Sequence, residues 1–197
     1  GSTFDTAVEK LDYLVDLGVD FVELMPVNAF GGTHGWGYDG VDLFAPFHRY
    51  GTPHDLRAFV DEAHRTGLGV ILDVVYNHFG PSDLDLWRFD GWSEDDKGGI
   101  YFYNDERCQT PWGETRPDYG REEVRRFIHD NAMSWLNDYH LDGLRFDMTP
   151  YIRSVHGSGH DLPEGWELMR WINMSLREQF PERISIAEDM QQDPRIS

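Results

Sequence analysis

The stretch with the clearest potential for chemistry lies at residues 142–147, with the sequence DGLRFD. It reads as a short buried strand that ends in an arginine and an aspartate two positions apart. Because side chains alternate faces along a strand, Arg145 and Asp147 point the same way. A neighbouring arginine favours the ionised form of a carboxylate, and an ionised aspartate at the carboxyl end of a parallel strand can act as a nucleophile. A structural ion pair would leave the same pattern, so other elements must decide between the two.

Polar residues also gather where other predicted strands end. Residues 68–75 (LGVILDVV) lead into Tyr-Asn-His at 76–78, and residues 184–188 (ISIAE) end in a glutamate that is followed by Asp189. Core strands have no packing reason to end repeatedly in charges, and the carboxyl ends of neighbouring strands in a barrel face one pocket. Two such carboxylates suit glycoside chemistry by double displacement, in which the pair lies about 5–5.5 Å apart. Asp189 would point to the other face, so we expect a structural role for it.

The elements that must position these residues follow from hydrophobic periodicity and from helix start and stop signals. We predict four helices, at residues 5–17, 52–66, 121–139 and 164–179, and four strands, at residues 21–27, 68–75, 143–147 and 184–188. Two long stretches, 28–51 and 77–119, are predicted as loops. Alternating helices and strands indicate a parallel sheet with right-handed crossovers.

Two α/β architectures fit this order: an open doubly wound sheet and a (β/α)8 barrel. Residues 35–40 (GWGYDG) formally match the dinucleotide fingerprint GxGxxG. They do not directly follow a strand and open no helix, so the match is weak and an NAD-dependent oxidoreductase is a distant alternative. The charged strand ends favour the barrel. We therefore predict an α/β fold, a partial (β/α)8 TIM barrel with about four consecutive parallel strands and flanking helices.

Composition narrows the class of protein. The 197 residues are 40% hydrophobic, which is enough for one domain with a core, and the net charge is −19. This charge argues against nucleic-acid and anionic membrane partners, because both require basic patches. The single cysteine, Cys108, rules out an internal disulfide framework and a cysteine-built metal site. No apolar run is long enough to span a bilayer.

Three motifs resemble signatures of the α-amylase family of retaining glycoside hydrolases and transglycosylases, and they occur in that family's order. They are DVVYNH at 73–78, GLRFD at 143–147 and IAED at 186–189. Three further segments are similar to the branch that holds glycogen branching enzymes and maltooligosyltrehalose trehalohydrolases: ELMPV at 23–27, WGYDG at 36–40 and FAPFHRYGTPHDL at 44–56. The longer motif DVVYNHFGP, at 73–81, is closer to the trehalohydrolases.

The resemblance implies the roles of the catalytic residues. Asp147 would be the nucleophile that forms a covalent glycosyl-enzyme, and Glu188 would be the general acid and then the general base. Arg145 would hold Asp147 ionised and oriented. The sequence offers a charge partner for Asp147 only, which would keep the two carboxylates in different protonation states.

The resemblance also implies substrate contacts, on an α-1,4-glucan or maltooligosaccharide. Tyr38 would stack on a glucose ring, His78 would hydrogen-bond glucose hydroxyls, and Asp73 would support the subsite. Asn77 matches a position that helps to bind calcium in classical amylases. The branching and trehalohydrolase branch usually lacks that calcium, so we predict no metal and no cofactor.

Parts of the family pattern are unmatched. The family's third carboxylate comes from a later strand with a His-Asp pair, and that signature is absent, as are the expected first strand and last three strands. We therefore expect residues 1–197 to be a fragment of a catalytic (β/α)8 barrel. The rest of the parent chain would close the barrel, and the fragment alone would have little or no activity. We expect a cytoplasmic location.

Two alternatives stay open at this stage. The chain could be a non-catalytic α-glucan-binding or assembly module with a barrel fold, although the intact Asp147 and Glu188 argue against lost chemistry. The tryptophans of the second long loop, Trp87, Trp92 and Trp112, could line a sugar subsite or pack the loop on itself. Trp166 and Trp171 fall on a predicted helix, where core packing is expected.

Overall fold

The computed structural model describes residues 2–81 and 84–196, and it contains six α-helices and six strands in this part of the chain. The helices are α1 (Phe4–Val8), α2 (Leu11–Leu17), α3 (Pro53–Arg65), α4 (Glu122–Asp138), α5 (Pro150–Arg153) and α6 (Pro163–Gln179), with a 3₁₀ turn at Glu106–Cys108. The strands are β1 (Phe21–Leu24), β2 (Asn28–Phe30), β3 (Gly40–Pro46), β4 (Gly69–Val74), β5 (Gly143–Phe146) and β6 (Ile184–Ala187).

Four strands form one parallel sheet in the order β1-β4-β5-β6, so each strand of the sheet pairs with the next one along the chain. Helices flank this sheet, and the described sheet does not close on itself. The arrangement confirms the predicted four consecutive parallel strands of a partial (β/α)8 barrel. Because the strands are parallel, their carboxyl ends meet at one edge. No helix of the described residues is both long and apolar enough to cross a bilayer.

Helix α3 shows how local sequence fixes an element. Thr52 and Asp55 form a reciprocal capping box, and Pro53 occupies the first turn, where its missing N–H costs nothing. The apolar face of the helix, which includes Leu56 and Val60, is fully buried. This face belongs to the same core as β4, so the helix anchors the strand that carries Asp73.

The helices α4 and α6 pack against each other and complete the core around β5. Trp135 of α4 and Leu144 of β5 are fully buried, and Trp166 of α6 is 6% exposed. Trp171 was also expected in the core, but it is 36% exposed and its ring stacks on His129 at 3.9 Å. It therefore covers the flank of the helix pair and does not fill the interior.

The two outer strands differ from the prediction of buried strands. Phe21 of β1 is 48% exposed and Ile186 of β6 is 40% exposed. Each strand pairs with a neighbour on one side only, so its apolar side chains have fewer residues to pack against. The inner strands β4 and β5 are almost completely buried.

Two local predictions were wrong. The stretch 28–51, expected as a loop, contains the antiparallel pair β2 and β3, whose register shifts twice within three residues. Its short strands and glycines hide the alternation that marks a hairpin. The first helix is divided into α1 and α2 by Glu9 and Lys10. It also begins at Phe4, because Thr3 and Thr6 form a capping box.

Candidate active site

A cluster of charged side chains lies at the carboxyl edge of the parallel sheet, with Arg145 at its centre. The register of β4 and β5 places Arg145 beside Asp73, and Nη1 of the arginine lies 2.7 Å from both carboxylate oxygens of Asp73. The same Nη1 lies 3.0 Å from Oδ1 of Asp147. Nη2 lies 2.7 Å from Oε2 of Glu188, which follows β6. One guanidinium therefore contacts three carboxylates that are supplied by three neighbouring strands.

Both oxygens of the buried Asp147 carboxylate accept hydrogen bonds. Arg145 donates to Oδ1, and Nδ2 of Asn77 donates to Oδ2 at 2.8 Å and to the backbone oxygen of Asp147 at 3.0 Å. These bonds fix the orientation of the carboxylate and favour its ionised form. Burial outweighs them, so the pKa of Asp147 is raised from its usual value of 3.8. Arg145 therefore reduces the rise in the pKa of Asp147 but does not reverse it.

Glu188 is more open to solvent than Asp147, with 29% of its side chain exposed. Its Oε2 forms the ion pair with the Arg145 guanidinium and accepts a hydrogen bond, at 3.0 Å, from the backbone N–H of Met148. The expectation that Arg145 serves only Asp147 was wrong, because a guanidinium has five donors and can bridge two strand ends. Since both carboxylates contact one guanidinium, their spacing is compatible with the roughly 5–5.5 Å of a retaining pair.

Tyr38 and Asp73 are joined across the floor of the site. The Tyr38 hydroxyl donates to Oδ2 of Asp73 at 2.7 Å. Burial raises the pKa of Asp73, and the bonds from Arg145 and Tyr38 oppose that rise. The turn before Tyr38 depends on Gly37, whose φ of 90° and close approach to the Pro26 carbonyl exclude a side chain.

In the described structure, one ring nitrogen of His78 has a hydrogen-bond partner and the other has none. Nδ1 lies 2.6 Å from Oδ1 of Asn77, while the buried Nε2 has no hydrogen-bond partner within residues 2–81 and 84–196. Asp39 lies 3.7 Å from Nε2, and its interaction with His78 lowers the pKa of the Asp39 carboxyl. The Trp112 ring stacks on the imidazole at 4.9 Å. A buried nitrogen without a partner is costly, so Nε2 is well suited to bind a polar ligand.

These side chains surround a cavity of about 540 Å³. Aromatic, carboxylate and thioether groups line it: Met25, Trp36, Tyr38, Asp39, His78, Trp112, Arg145, Asp147, Met148 and Glu188. The predicted residues Asp73 and Asn77 lie behind this lining, where they hold Arg145, Tyr38 and Asp147 in place. Aromatic faces beside polar groups suit a sugar, which presents both C–H faces and hydroxyls. The structure therefore brings all seven predicted residues to one site.

Comparison with known proteins shows which families this chain resembles. Residues 3–84 match the model of the alpha amylase catalytic domain. A malto-oligosyltrehalose trehalohydrolase from Mycobacterium tuberculosis is 43% identical over 98% of this chain and 31% of its own length. A 1,4-alpha-glucan branching enzyme from Pseudoalteromonas atlantica is 34% identical over 96% of this chain and 27% of its own. The relatives of this chain are members of the α-amylase family.

A solved structure has a fold similar to that of this chain. A crystal structure of a Salmonella typhimurium protein, provisionally assigned as an alpha amylase, superposes with a TM-score of 0.74 at 40% identity. The superposition covers 94% of this chain and 28% of that protein. The family and the fold predicted from the motifs are thus confirmed, and the chain spans less than a third of the length of each of these proteins.

The cavity is also lined by residues that the sequence did not single out, among them Met25, Trp36, Asp39 and Met148. Trp36 and Asp39 flank Tyr38 in the motif WGYDG, so proximity to Tyr38 was the available signal. The three loop tryptophans have different surroundings, and Trp92 is 41% exposed and contacts Arg121. Trp112 lines the cavity, whereas Trp87 packs against Phe102.

Two further predictions concern the surroundings of the site. Asp189 forms a buried ion pair with Arg153 at 2.7 Å and accepts a bond from Thr149, which confirms its structural role. In the part of the chain that the structure describes, no group of three or more histidine, cysteine, aspartate or glutamate side chains is arranged to hold a metal ion. The Asn77 side chain is engaged with Asp147 and His78.

Proposed function

We propose that the complete protein containing this sequence is a retaining enzyme that acts on α-1,4-linked glucose chains. The observation that carries the proposal is the single guanidinium of Arg145, which contacts both Asp147 and Glu188 beside a cavity with aromatic walls. Of two carboxylates held in this way, one can attack the anomeric carbon while the other gives a proton to the leaving oxygen.

In the first step, protonated Glu188 donates its proton to the glycosidic oxygen while Asp147 attacks the anomeric carbon. The bond from that carbon to the leaving oxygen breaks, and an ester forms between Asp147 and the sugar. In the second step, the Glu188 carboxylate removes a proton from a water molecule or a sugar hydroxyl, whose oxygen replaces Asp147 at the anomeric carbon. Hydrogen bonds from Arg145 and Asn77, one to each oxygen, orient the Asp147 carboxylate for this attack.

The walls of the cavity supply substrate binding. In this proposal, the Tyr38 ring stacks on the glucose whose bond is cleaved, and the free Nε2 of His78 hydrogen-bonds its hydroxyls. Asp73 holds both Tyr38 and Arg145, so it shapes the site without touching the substrate. Nothing in this set of contacts requires a basic surface, which agrees with a neutral polysaccharide partner.

Within the family, we propose a hydrolase of the malto-oligosyltrehalose trehalohydrolase type. The support is identity: 43% to the relative with that name, against 34% to the branching enzyme, over nearly the whole chain in both cases. The chain length matters too, since relatives are more than three times longer than their matched segments. We therefore propose that residues 1–197 supply four consecutive strands of a catalytic barrel and that further strands pair with β1 and β6.

The test uses the complete protein that contains this sequence, with maltooligosyltrehalose and amylose as separate substrates. We expect release of trehalose from the first substrate, and loss of turnover in Asp147→Asn and in Glu188→Gln. Glu182→Gln is the matched control, because it changes an exposed glutamate just before the same strand β6. Glucan binding without turnover by the unaltered protein would favour a non-catalytic module. New branches on amylose would instead assign a transglycosylase.

A further inference from the structure

Arg116 is fully buried in the second long loop, and its guanidinium has an unusual environment. It donates to three backbone carbonyls: Gln109 at 2.9 Å, Val155 at 2.7 Å and Ser154 at 3.3 Å. Within the described residues, no carboxylate lies at ion-pair distance from it, and its Nε has no partner. A buried charge without a counter-ion is expensive, so this arrangement calls for a role beyond packing.

The three carbonyls belong to two separate parts of the chain. Gln109 lies in the same loop as Arg116, whereas Ser154 and Val155 directly follow α5. Helix α5 begins three residues after Asp147. Arg116 therefore joins the second long loop to the segment that leaves the proposed nucleophile.

The loop that Arg116 closes carries Trp112 at its tip. Thr110 and Gly113 exchange backbone hydrogen bonds at 2.8 and 3.2 Å, which form a tight turn around Trp112. The Trp112 ring stacks on His78 and meets Tyr151 of α5 edge-on at 5.4 Å. Trp112 is thus held between one side chain in the segment after β4 and another on α5.

A second anchor, independent of Arg116, joins the turn around Trp112 to the segment that follows β4. The Thr115 hydroxyl donates to the Phe79 carbonyl at 2.8 Å, and the Phe79 N–H donates to the Thr115 carbonyl at 3.0 Å. This pair keeps the turn close to His78. The guanidinium is what ties the loop to the α5 side, where Tyr151 lies.

We propose that Arg116 is a positioning residue that sets Trp112 between His78 and Tyr151 and so builds one wall of the substrate cavity. Arg116 does not line the cavity and does not touch the catalytic carboxylates. Arg116 affects activity only by holding the Trp112 ring in position. The expected change in substrate binding rests on the proposed function of the site.

Kinetics of the complete protein test the effect on substrate. We expect Arg116→Met to raise KM for the α-glucan substrate about three- to tenfold, the scale of one or two lost hydrogen bonds, with kcat changed less than about twofold. Arg116→Lys keeps the charge, but its single amino group cannot reach the carbonyls of both Gln109 and Val155. It should therefore restore only part of the substrate affinity. In a Trp112→Phe background, Arg116→Met should change KM less than about twofold. Equal effects in both backgrounds would contradict positioning and indicate a general structural role.

A second measurement does not depend on catalysis. Acrylamide quenching of tryptophan fluorescence should increase in Arg116→Met, and this increase should vanish when Trp112→Phe removes the reporting ring. If Arg116→Met does not fold, as judged by circular dichroism, Arg116→Lys is carried through the same pair of backgrounds. Unchanged quenching would overturn the proposal. Increased quenching in a protein that turns over no glucan would sustain the positioning role and reject the proposed function.

Discussion

The two ends of the parallel sheet each carry an ion cluster, but the clusters are built in opposite ways. At the amino end, Asp142 accepts a hydrogen bond from the Val70 N–H at 2.8 Å, pairs with His64 at 2.6 Å and contacts Arg183. One carboxylate there has two basic partners and a backbone donor. At the carboxyl end, the single arginine Arg145 serves three carboxylates.

The difference indicates what each cluster does. At the amino end the carboxylate is saturated with donors, so the cluster ties β4, β5 and the start of β6 together. At the carboxyl end negative charge is in excess, and burial raises the pKa of Asp73 and Asp147. The buried Nε2 of His78 has no hydrogen-bond partner in the described part of the chain. Unfavourable charge that is retained in a cavity is typical of sites that act on a ligand.

The largest expected difference between the two ends concerns turnover. Asp147→Asn should lower kcat by about a thousandfold or more, because the amide cannot form the glycosyl ester. Asp142→Asn, the same chemical change at the amino end of the same strand, should leave kcat and KM within about twofold and destabilise the fold by about 1–3 kcal/mol. Initial rates on maltooligosyltrehalose and urea unfolding of both variants make the comparison. Comparable losses of kcat in both variants would contradict a catalytic role for the carboxyl-end cluster alone.

The next contrast is in stability and concerns the two arginines. Arg145→Met leaves three buried or half-buried carboxylates without their shared partner and should lower the free energy of unfolding by about 3–5 kcal/mol. Arg183→Met, at a more exposed pair, should cost about 1 kcal/mol or less. Denaturant unfolding at neutral pH measures both. If the Arg183 variant is the less stable of the two, the amino-end cluster contributes more to the free energy of unfolding than the carboxyl-end cluster.

A smaller effect is expected in the pH dependence of stability, with opposite signs at the two ends. The pKa of Asp147 is raised, so native protein holds this proton more tightly than the unfolded chain, and stability falls as pH rises above the usual value of 3.8 through the native pKa. Burial and the nearby Arg183 lower the pKa of His64, so stability instead falls as pH drops below 6.5.

Thermal unfolding across pH 4–8 checks both signs. Relative to the unaltered protein, Asp147→Asn should be more stable at pH 7 than at pH 4, since the amide cannot lose a proton. His64→Gln should gain relative stability below pH 6.5. A constant difference across this range in either variant would show that the group in question does not titrate differently on folding.

Much of the fold could be predicted because its signals are local. The Thr52 cap, the apolar run of β4 and the charged ends of β4, β5 and β6 each lie within a few consecutive residues. The hairpin of β2 and β3 could not be predicted, because its irregular register leaves no alternating pattern. The composition of the outer strands predicts that they are buried, but burial depends on neighbouring elements that composition does not specify.

The sequence indicates several residues of the candidate site but not the geometry of the site. Motifs identified Asp147 and Glu188, yet the contact of Arg145 with Glu188 depends on the pairing of β5 with β6, across more than forty residues. The approach of Trp112 to His78 depends on a loop tied by Arg116 and Thr115. Such contacts follow from tertiary packing, which spacing in the sequence does not encode.

The most direct test of the central claim is to trap the covalent intermediate. The Glu188→Gln variant of the complete protein is incubated with an α-glucosyl fluoride, whose leaving group needs no general acid, and is then digested for mass spectrometry. The ester should accumulate on the peptide that contains Asp147, because no base remains to activate water. Fluoride release without an adduct on Asp147, or an adduct on another carboxylate, would contradict the account.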